Sequence, residues 1–413
     1  PNYWITAQGG KKIRDKIVNY TTIKEWINFN ENKIFEAGIH TNVFILTKDL
    51  PINNRVKCTI YQNCYLDNFI LNGTNELSFD SHQEKILFNW TKFVHFLPLE
   101  TLKIINKLVI NSEKLSDNET EGTKKLDCVA GKKITNGICN INQGIITGKD
   151  RLKNKAKNSN EGVYILTKDE LNNANFNKNE LEYIKPFVKN SDINKFVISK
   201  NQEYFIIYID NVGTEKEFNE LTNIKKHLSR FKELLSRRYI NGVLQSAYKK
   251  GKWWALTHSV PIQIIKNSKI VCPQRNRFNL FAYDENETYA SADVYYISPN
   301  RIGYSLKYIL SILNSRLIYF WLYWMGKRKG EILELYFEPL QFIPIKKISP
   351  EQQKPFIKIV DQILSITNDE DCLDNPDKQA KVKKLEKEID NLVYDLYDLD
   401  PDEIKIVKEF NEK

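Results

Sequence analysis

Lys11-Lys12-Ile13-Arg14-Asp15-Lys16-Ile17-Val18-Asn19-Tyr20 is followed, after two threonines, by Ile23-Lys24-Glu25-Trp26-Ile27-Asn28-Phe29. In the first run Ile13, Ile17 and Tyr20 fall on one face of a helix, and Lys11, Lys12, Arg14, Asp15 and Lys16 lie mostly off it. The second run reads as a strand. Lys33-Ile34-Phe35 and Glu36-Ala37-Gly38 then lead into another, Thr41 to Leu46. A helix followed by strands is the order found in the later half of a doubly wound α/β domain. The chain opens at Pro1 with no glycine-rich turn ahead of this helix. The expectation is a piece that starts downstream of a cofactor-binding half.

Further along, residues 53–80 read as more β structure with a turn at Asn72-Gly73, and a helix runs from about Pro98 to Asn111. The polar stretch from Ser112 to Lys125 has the composition of a linker, which places a domain boundary near it. Beyond it, residues 161–166, 204–209, 269–272, 280–283 and 294–297 read as strands. Ile224 to Arg238 and Ser305 to Trp324 read as helices. The tail is helical over 351–365 and 378–399. A last helix opens at Asp400-Pro401, with Asp400 as its N-cap.

The 413 residues carry a net charge of +9, which suits a nucleic-acid partner without requiring one. Six scattered cysteines (58, 64, 128, 139, 272 and 372) form no CxxC pair, which fits a reduced compartment rather than a zinc ribbon. The apolar run from Leu306 to Met325 carries Lys307, Asn314 and Arg316, so it reads as a buried helix and no membrane partner is expected.

No nucleophile–base set, metal-ligand spacing, GxGxxG or P-loop is present, and the five histidines are far apart. Asp377 and Glu403-Ile404-Lys405 superficially match a nuclease's acidic pair and lysine, but both lie at helix ends in a charged tail, where such residues are common. Four loops combine basic and amide side chains: 144–151 (Lys149, Arg151), 189–195 (Lys189, Asn190, Lys195), 272–277 (Gln274, Arg275, Arg277) and 326–330 (Lys327, Arg328, Lys329). Arg with Asn or Gln is the chemistry that reads G and A edges, and Lys serves phosphates. Each loop taken alone is equally a solvated turn. Trp253-Trp254 offers a base-stacking surface or, alternatively, a core residue beside one partly exposed ring.

Several segments, taken in order, resemble the C-terminal half of the TaqI-like, gamma-class adenine-N6 DNA methyltransferases, and type IIG restriction–modification proteins in particular. Asn2 to Thr6 with Gly10 to Arg14 is similar to a late strand-to-helix step of the methyltransferase fold. Residues 33–46 resemble the family's motif VIII, and Cys139 to Gly148 the opening of its target recognition domain. Lys185 to Ile193 and Ile312-Leu313-Asn314-Ser315 are similar to further signatures of that domain. Leu385 to Asp390 with Val393 to Tyr397 is similar to its terminal helix.

The resemblance implies an α/β fragment, the end of a Rossmann-like methyltransferase domain, over 1–110. A mixed α+β target recognition domain over 111–345 and C-terminal helices over 346–413 would follow it. It implies that Phe35 stacks on a flipped adenine, although Phe35 as a plain core residue is the competing reading. The Asn-Pro-Pro-Tyr motif and the S-adenosylmethionine site are missing from the sequence. No catalytic, cofactor or metal residue is therefore assigned. S-adenosylmethionine, and Mg for any nuclease domain, would belong to the complete protein. The expected function is sequence-specific recognition of duplex DNA in the prokaryotic cytoplasm, alongside the rest of the same polypeptide and without methylation by this chain alone. A stand-alone specificity subunit of a multi-subunit restriction system and a scaffold with no DNA role are the alternatives.

Overall fold

The computed structural model of the chain describes residues 3–6, 8–30, 32, 34, 41–62, 65–67, 70–72, 75–88, 90, 91, 93–116, 137–154, 159–200, 203–236, 239, 240, 243, 244, 251–369, 371, 372 and 374–411. The helix Lys11–Tyr20 forms as its periodicity requires and buries Val18 and Arg14. The Arg14 guanidinium donates to the Trp4 carbonyl at 2.9 Å, which ties the short helix Tyr3–Thr6 to it. Four strands follow in the spatial order Asn42–Thr47, Thr22–Asn28, Arg55–Gln62 and Asn75–His82. Phe44, Trp26, Cys58 and Phe79 are successive cross-strand partners, so one face of the sheet carries a continuous apolar row. Trp26 stacks on Phe96 with centroids 4.2 Å apart. Within this sheet only the pair 22–28 with 55–62 is parallel, and the described chain as a whole is mixed α/β with several small sheets. Of the motif VIII segment, Lys33 and residues 35–40, Phe35 included, lie outside the described residues.

A second four-stranded sheet, in the order Ala282–Asp284, Lys269–Pro273, Val294–Pro299 and Cys139–Gln143, is covered on both faces. Side chains alternate along a strand. Ile270, Cys272, Tyr295 and Ile297 therefore face the large core built on helices 306–325 and the tail. Val271, Val294 and Tyr296 face a second core with Phe187, Ile206 and Trp254. Burial on both faces explains why residues 270–272 and 294–297 read as nearly unbroken apolar runs. Trp254 is buried and stacks on Phe218 at 4.4 Å, while Trp253 is half-buried, so that pair is core plus one partly exposed ring.

Three expected elements are interrupted. The single helix over 305–324 is two, Leu306–Leu313 and Arg316–Met325. Ser315 caps the second by accepting from the Ile318 N–H. Asn314 turns its amide inward, donating to the Phe281 carbonyl at 2.8 Å and accepting from the Phe281 N–H at 3.0 Å. A side chain that pairs with a distant backbone in this way competes with continued helix. The expected helix 224–238 is likewise Thr222–Ser229 and Lys232–Ser236. At the joint the Phe231 N–H bonds back three residues to Leu228, which tightens the turn. The expected strand 161–166 breaks at Val163 and Tyr164, where three successive N–H groups converge on the Asp150 carbonyl. The tail forms helices Pro350–Thr367, Pro376–Leu396 and Pro401–Asn411, and Asp400 accepts from the Asp402 and Glu403 N–H groups as its sequence requires.

The first sheet is tied to the large core through aromatic residues and one histidine. Trp90 donates to the Phe342 carbonyl at 2.6 Å, and Phe79 meets Trp324 edge-on. The buried His95 ring lies between the Thr91 hydroxyl at 2.8 Å and the Trp324 carbonyl at 3.1 Å. Burial lowers its pKa to about 4, against a smaller opposing effect of the Trp324 carbonyl. Because the folded pKa lies below the unfolded one, the unfolded chain binds the extra proton first. The stability held by neutral His95 is complete above about pH 6.5 and is lost as pH falls towards 4. The loss is expected to total on the order of 3 kcal/mol. Urea midpoints measured between pH 4 and 7 should show this slope in the native chain and a flatter one in His95→Asn. Identical slopes would remove the histidine from the account.

Candidate nucleic-acid interface

The turn Ala290–Val294 joins the roots of three of the four predicted loops. Gly144 donates its N–H to the Val294 carbonyl at 2.8 Å, and Ile145 to Ala290 at 2.8 Å. A Cβ on Gly144 would stand 2.0 Å from the Ser291 carbonyl oxygen, so the close approach requires glycine there. The Ser291 N–H donates to the Val188 carbonyl at 2.9 Å, one residue before Lys189. The Gln274 N–H donates to the Asp293 carbonyl at 2.6 Å.

The other contacts bring 189–195, 272–277 and 326–330 onto one face. Asn190 Nδ2 donates to the Arg275 carbonyl at 3.2 Å. Arg275–Asn276 pairs with Ile332–Glu334, which pairs in turn with Arg328–Lys329. This three-stranded sheet sets the third and fourth loops side by side.

Its cations are held in specific ways. The buried Glu334 carboxylate takes Lys327 Nζ at 2.8 Å and Arg275 Nη2 at 3.3 Å. Tyr336 lies under both, 4.8 Å from Lys327 and 5.5 Å from Arg275, and its hydroxyl accepts from Arg275. Arg277 pairs with Glu331 at 3.0 Å and lies over Phe278, whose ring is half-exposed. Arg328 stacks 3.7 Å above Tyr323 and donates to the Tyr323 and Gly330 carbonyls, which closes the hairpin. Lys189 Nζ sits 3.0 Å above the Tyr204 ring, and Lys329 is exposed. Cation–ring contacts of this kind contribute about 0.5–1 kcal/mol each at exposed sites, enough to bias where a flexible side chain points.

Two predicted residues have other work. Arg151 is bound by Glu170 at 2.7 and 3.0 Å and donates to the Ile165 carbonyl at 3.0 Å. Burial would raise the Glu170 pKa. Hydrogen bonds from Arg151, Thr167 and Gly162 outweigh burial and hold it below the usual range. Arg151 is thus an anchor for the helix Lys168–Asn173. Lys195 reaches Glu386 at 3.0 Å on the helix Pro376–Leu396, away from the Arg275 cluster. In the first loop Thr147 Oγ1 donates to Asp150 and accepts from the Lys149 N–H, fixing the turn that presents Lys149. Gln274 is half-buried, and its side chain bonds Tyr295. Glu334, Tyr336 and the 290–294 turn carry no basic or amide signal of the kind that marks the loops. A carboxylate between cations in space leaves no local pattern in sequence.

Asp377 lies in the first turn of the helix Pro376–Leu396 and Glu403 in the first turn of the next helix, Pro401–Asn411, so about 30 Å of helix, at 1.5 Å per residue, lies between them along the chain. Glu403 pairs with Lys107. Among the described residues no group of three or more His, Cys, Asp or Glu could hold a metal ion, and no helix is long and apolar enough to cross a membrane.

Residues 185–345, which carry three of the four loops, match the TaqI-like C-terminal specificity domain. The chain is 26% identical over 261 residues to the type II methyltransferase M.MjaIV of Methanocaldococcus jannaschii, covering 62% of this chain and 78% of that protein. It is 22% identical over 382 residues to M.HindII of Haemophilus influenzae, covering 89% of this chain and 66% of that one. The type IIL restriction–modification enzyme MmeI, solved in complex with DNA, superposes with a TM-score of 0.57 at 13% identity. That match covers 95% of this chain and 45% of MmeI. These matches agree with the methyltransferase resemblance drawn from the residues.

Proposed function

We propose that the chain is the DNA-recognition portion of a type II restriction–modification methyltransferase, and that it meets duplex DNA with the face built by residues 189–190, 274–277 and 327–329, flanked by Lys149. The observation that carries this is the joining of the third and fourth loops into one three-stranded sheet, with the second loop bonded to its edge. Side chains more than fifty residues apart in sequence are set next to one another, as a reader of consecutive base pairs needs. Lys189, Lys327 and Lys329 serve phosphates. Asn190, Gln274 and Arg275 are the candidates for base edges, and Arg277 joins the lysines on phosphates. Arg151, Lys195 and Arg328 support the loops through the contacts already described. The specificity-domain match over the same residues adds to this reading.

In the complete protein the reaction is transfer of a methyl group from S-adenosylmethionine to adenine N6, in the type IIG arrangement, with Phe35 stacking on the extruded base. The setting is the prokaryotic cytoplasm, and the partner besides DNA is the remainder of the same polypeptide. No residue of this chain is assigned to S-adenosylmethionine. The shallow groove on the helix Pro350–Thr367 is lined by Lys354, Ile357, Lys358, Asp361, Gln362 and Ser365, without a glycine-rich turn or an aromatic ring for the adenine. No step is therefore derived through the cofactor.

The test is binding of the chain to mixed-sequence duplex DNA, followed by fluorescence anisotropy across a salt series. The logarithm of the affinity should fall linearly with the logarithm of salt, with a slope of about −0.9 for each phosphate neutralised. Absence of binding at the lowest salt overturns the proposal.

A further inference from the structure

Arg275 and Lys327 come from loops fifty-two positions apart, yet both end on one carboxylate. The Glu334 side chain is only 9% exposed, against 59% for Arg275 and 46% for Lys327. The carboxylate thus sits beneath the surface with the two cations above it. Its backbone is fixed on both sides: the Glu334 N–H donates to the Lys327 carbonyl at 2.8 Å, and the Leu335 N–H to Gln274 at 2.8 Å. Tyr336 braces the same two cations from beside the carboxylate. The Lys327 contact at 2.8 Å lies in the usual charge-assisted range and the Arg275 contact at 3.3 Å is a looser ion pair, and together they restrict two otherwise flexible side chains. It also leaves the trio with one net positive charge instead of two.

We propose that Glu334 is a positioning residue for sequence discrimination: it holds Arg275 and Lys327 in a preset, partly neutralised pair, and so suppresses indiscriminate phosphate binding by this face. The inference rests on the DNA-binding function proposed above and adds the device that would make that binding selective. Two free cations on flexible stems bind any phosphate backbone. A braced pair with its charge halved gains less from phosphates and loses less conformational freedom on meeting the correct base edge.

The test uses the full chain, a duplex enriched on it from a random-sequence pool, and a scrambled duplex of equal length. Glu334→Gln keeps the size and one acceptor oxygen of the side chain, replaces the other oxygen with an amide donor and removes the charge. The variant should bind the scrambled duplex about 5–10-fold more tightly at 0.1 M salt, with a salt slope steeper by about 0.9 for the one cation released. Its preference for the enriched duplex should fall about tenfold. A purely structural role for Glu334 would weaken both duplexes together and leave the slope unchanged, and that result overturns the proposal. If Glu334→Gln does not fold, Lys327→Met keeps Glu334 paired to Arg275. It should lower the slope by about 0.9, and an unchanged slope again overturns the proposal. Wild-type binding with no enrichment of any sequence also overturns it. Failure of the wild type to bind any duplex overturns instead the DNA-binding function itself.

Discussion

Lys269→Met is expected to destabilise the protein by about 3–5 kcal/mol, the usual cost of removing one partner from a buried ion pair. The Lys269 and Asp284 side chains are 0% and 1% exposed and lie 2.7 Å apart across paired strands. Lys269 Nζ also donates to the carbonyls of Ile265 at 2.8 Å, Asn267 at 3.2 Å and Asn286 at 2.7 Å. The three ammonium protons thus go to three carbonyls, with Asp284 at ion-pair distance, so methionine would strip the Asn267 and Asn286 carbonyls of this donor and Asp284 of its counter-charge. Methionine fills the volume but leaves an unpaired carboxylate inside the core. The double variant Lys269→Met, Asp284→Leu should recover only part of the loss, because the Asn267 and Asn286 carbonyls lose the Lys269 donor in both variants. Urea denaturation of the wild type, the single variant and the double variant measures this. A loss below about 1 kcal/mol in the single variant would contradict the assigned role.

The second large effect concerns DNA. Lys189→Ala, Arg277→Ala and Lys329→Ala combined should weaken binding to mixed-sequence duplex roughly 100-fold at 0.1 M salt, and should reduce the salt slope by about 2.7, or 0.9 per cation. These three positions are chosen because none pairs with Glu334. Removing Arg275 and Lys327 would leave that buried carboxylate unmatched and would mix a folding defect with the binding defect. Lys354→Ala with Lys358→Ala, both on the exposed side of the helix Pro350–Thr367, removes positive charge elsewhere on the surface. Anisotropy should show that pair binding within about twofold of the wild type. An equal loss in the two sets would mean that general charge, and not this face, governs binding.

Local pattern was enough to place the amphipathic tail helices, the opening helix at 11–20 and the cap at Asp400, because each depends on residues within a turn or two of one another. It was not enough where a side chain finds a partner far away. Asn314 sits in a run that reads as uninterrupted helix, and it breaks that run because Phe281, thirty-three positions upstream, offers its N–H and carbonyl. The list of basic and amide residues was likewise legible, but their grouping was not. Arg151 and Arg277 look alike in sequence. One is drawn down onto Glu170 and the other stays at the surface beside Phe278.

What the sequence determined by itself is therefore the inventory: the apolar periodicities, the basic loops and the ordered segments that resemble one methyltransferase family. The tertiary structure alone decided which of those loops share a face. It did so through backbone bonds from Gly144, Val188 and Gln274 to the single turn at 290–294, and through the carboxylate of Glu334. Those contacts join positions from 7 to 150 residues apart, most of them far beyond one turn or strand. No periodicity or local composition records them, because the free energy that selects them appears only when the two cores have closed around the sheet they share.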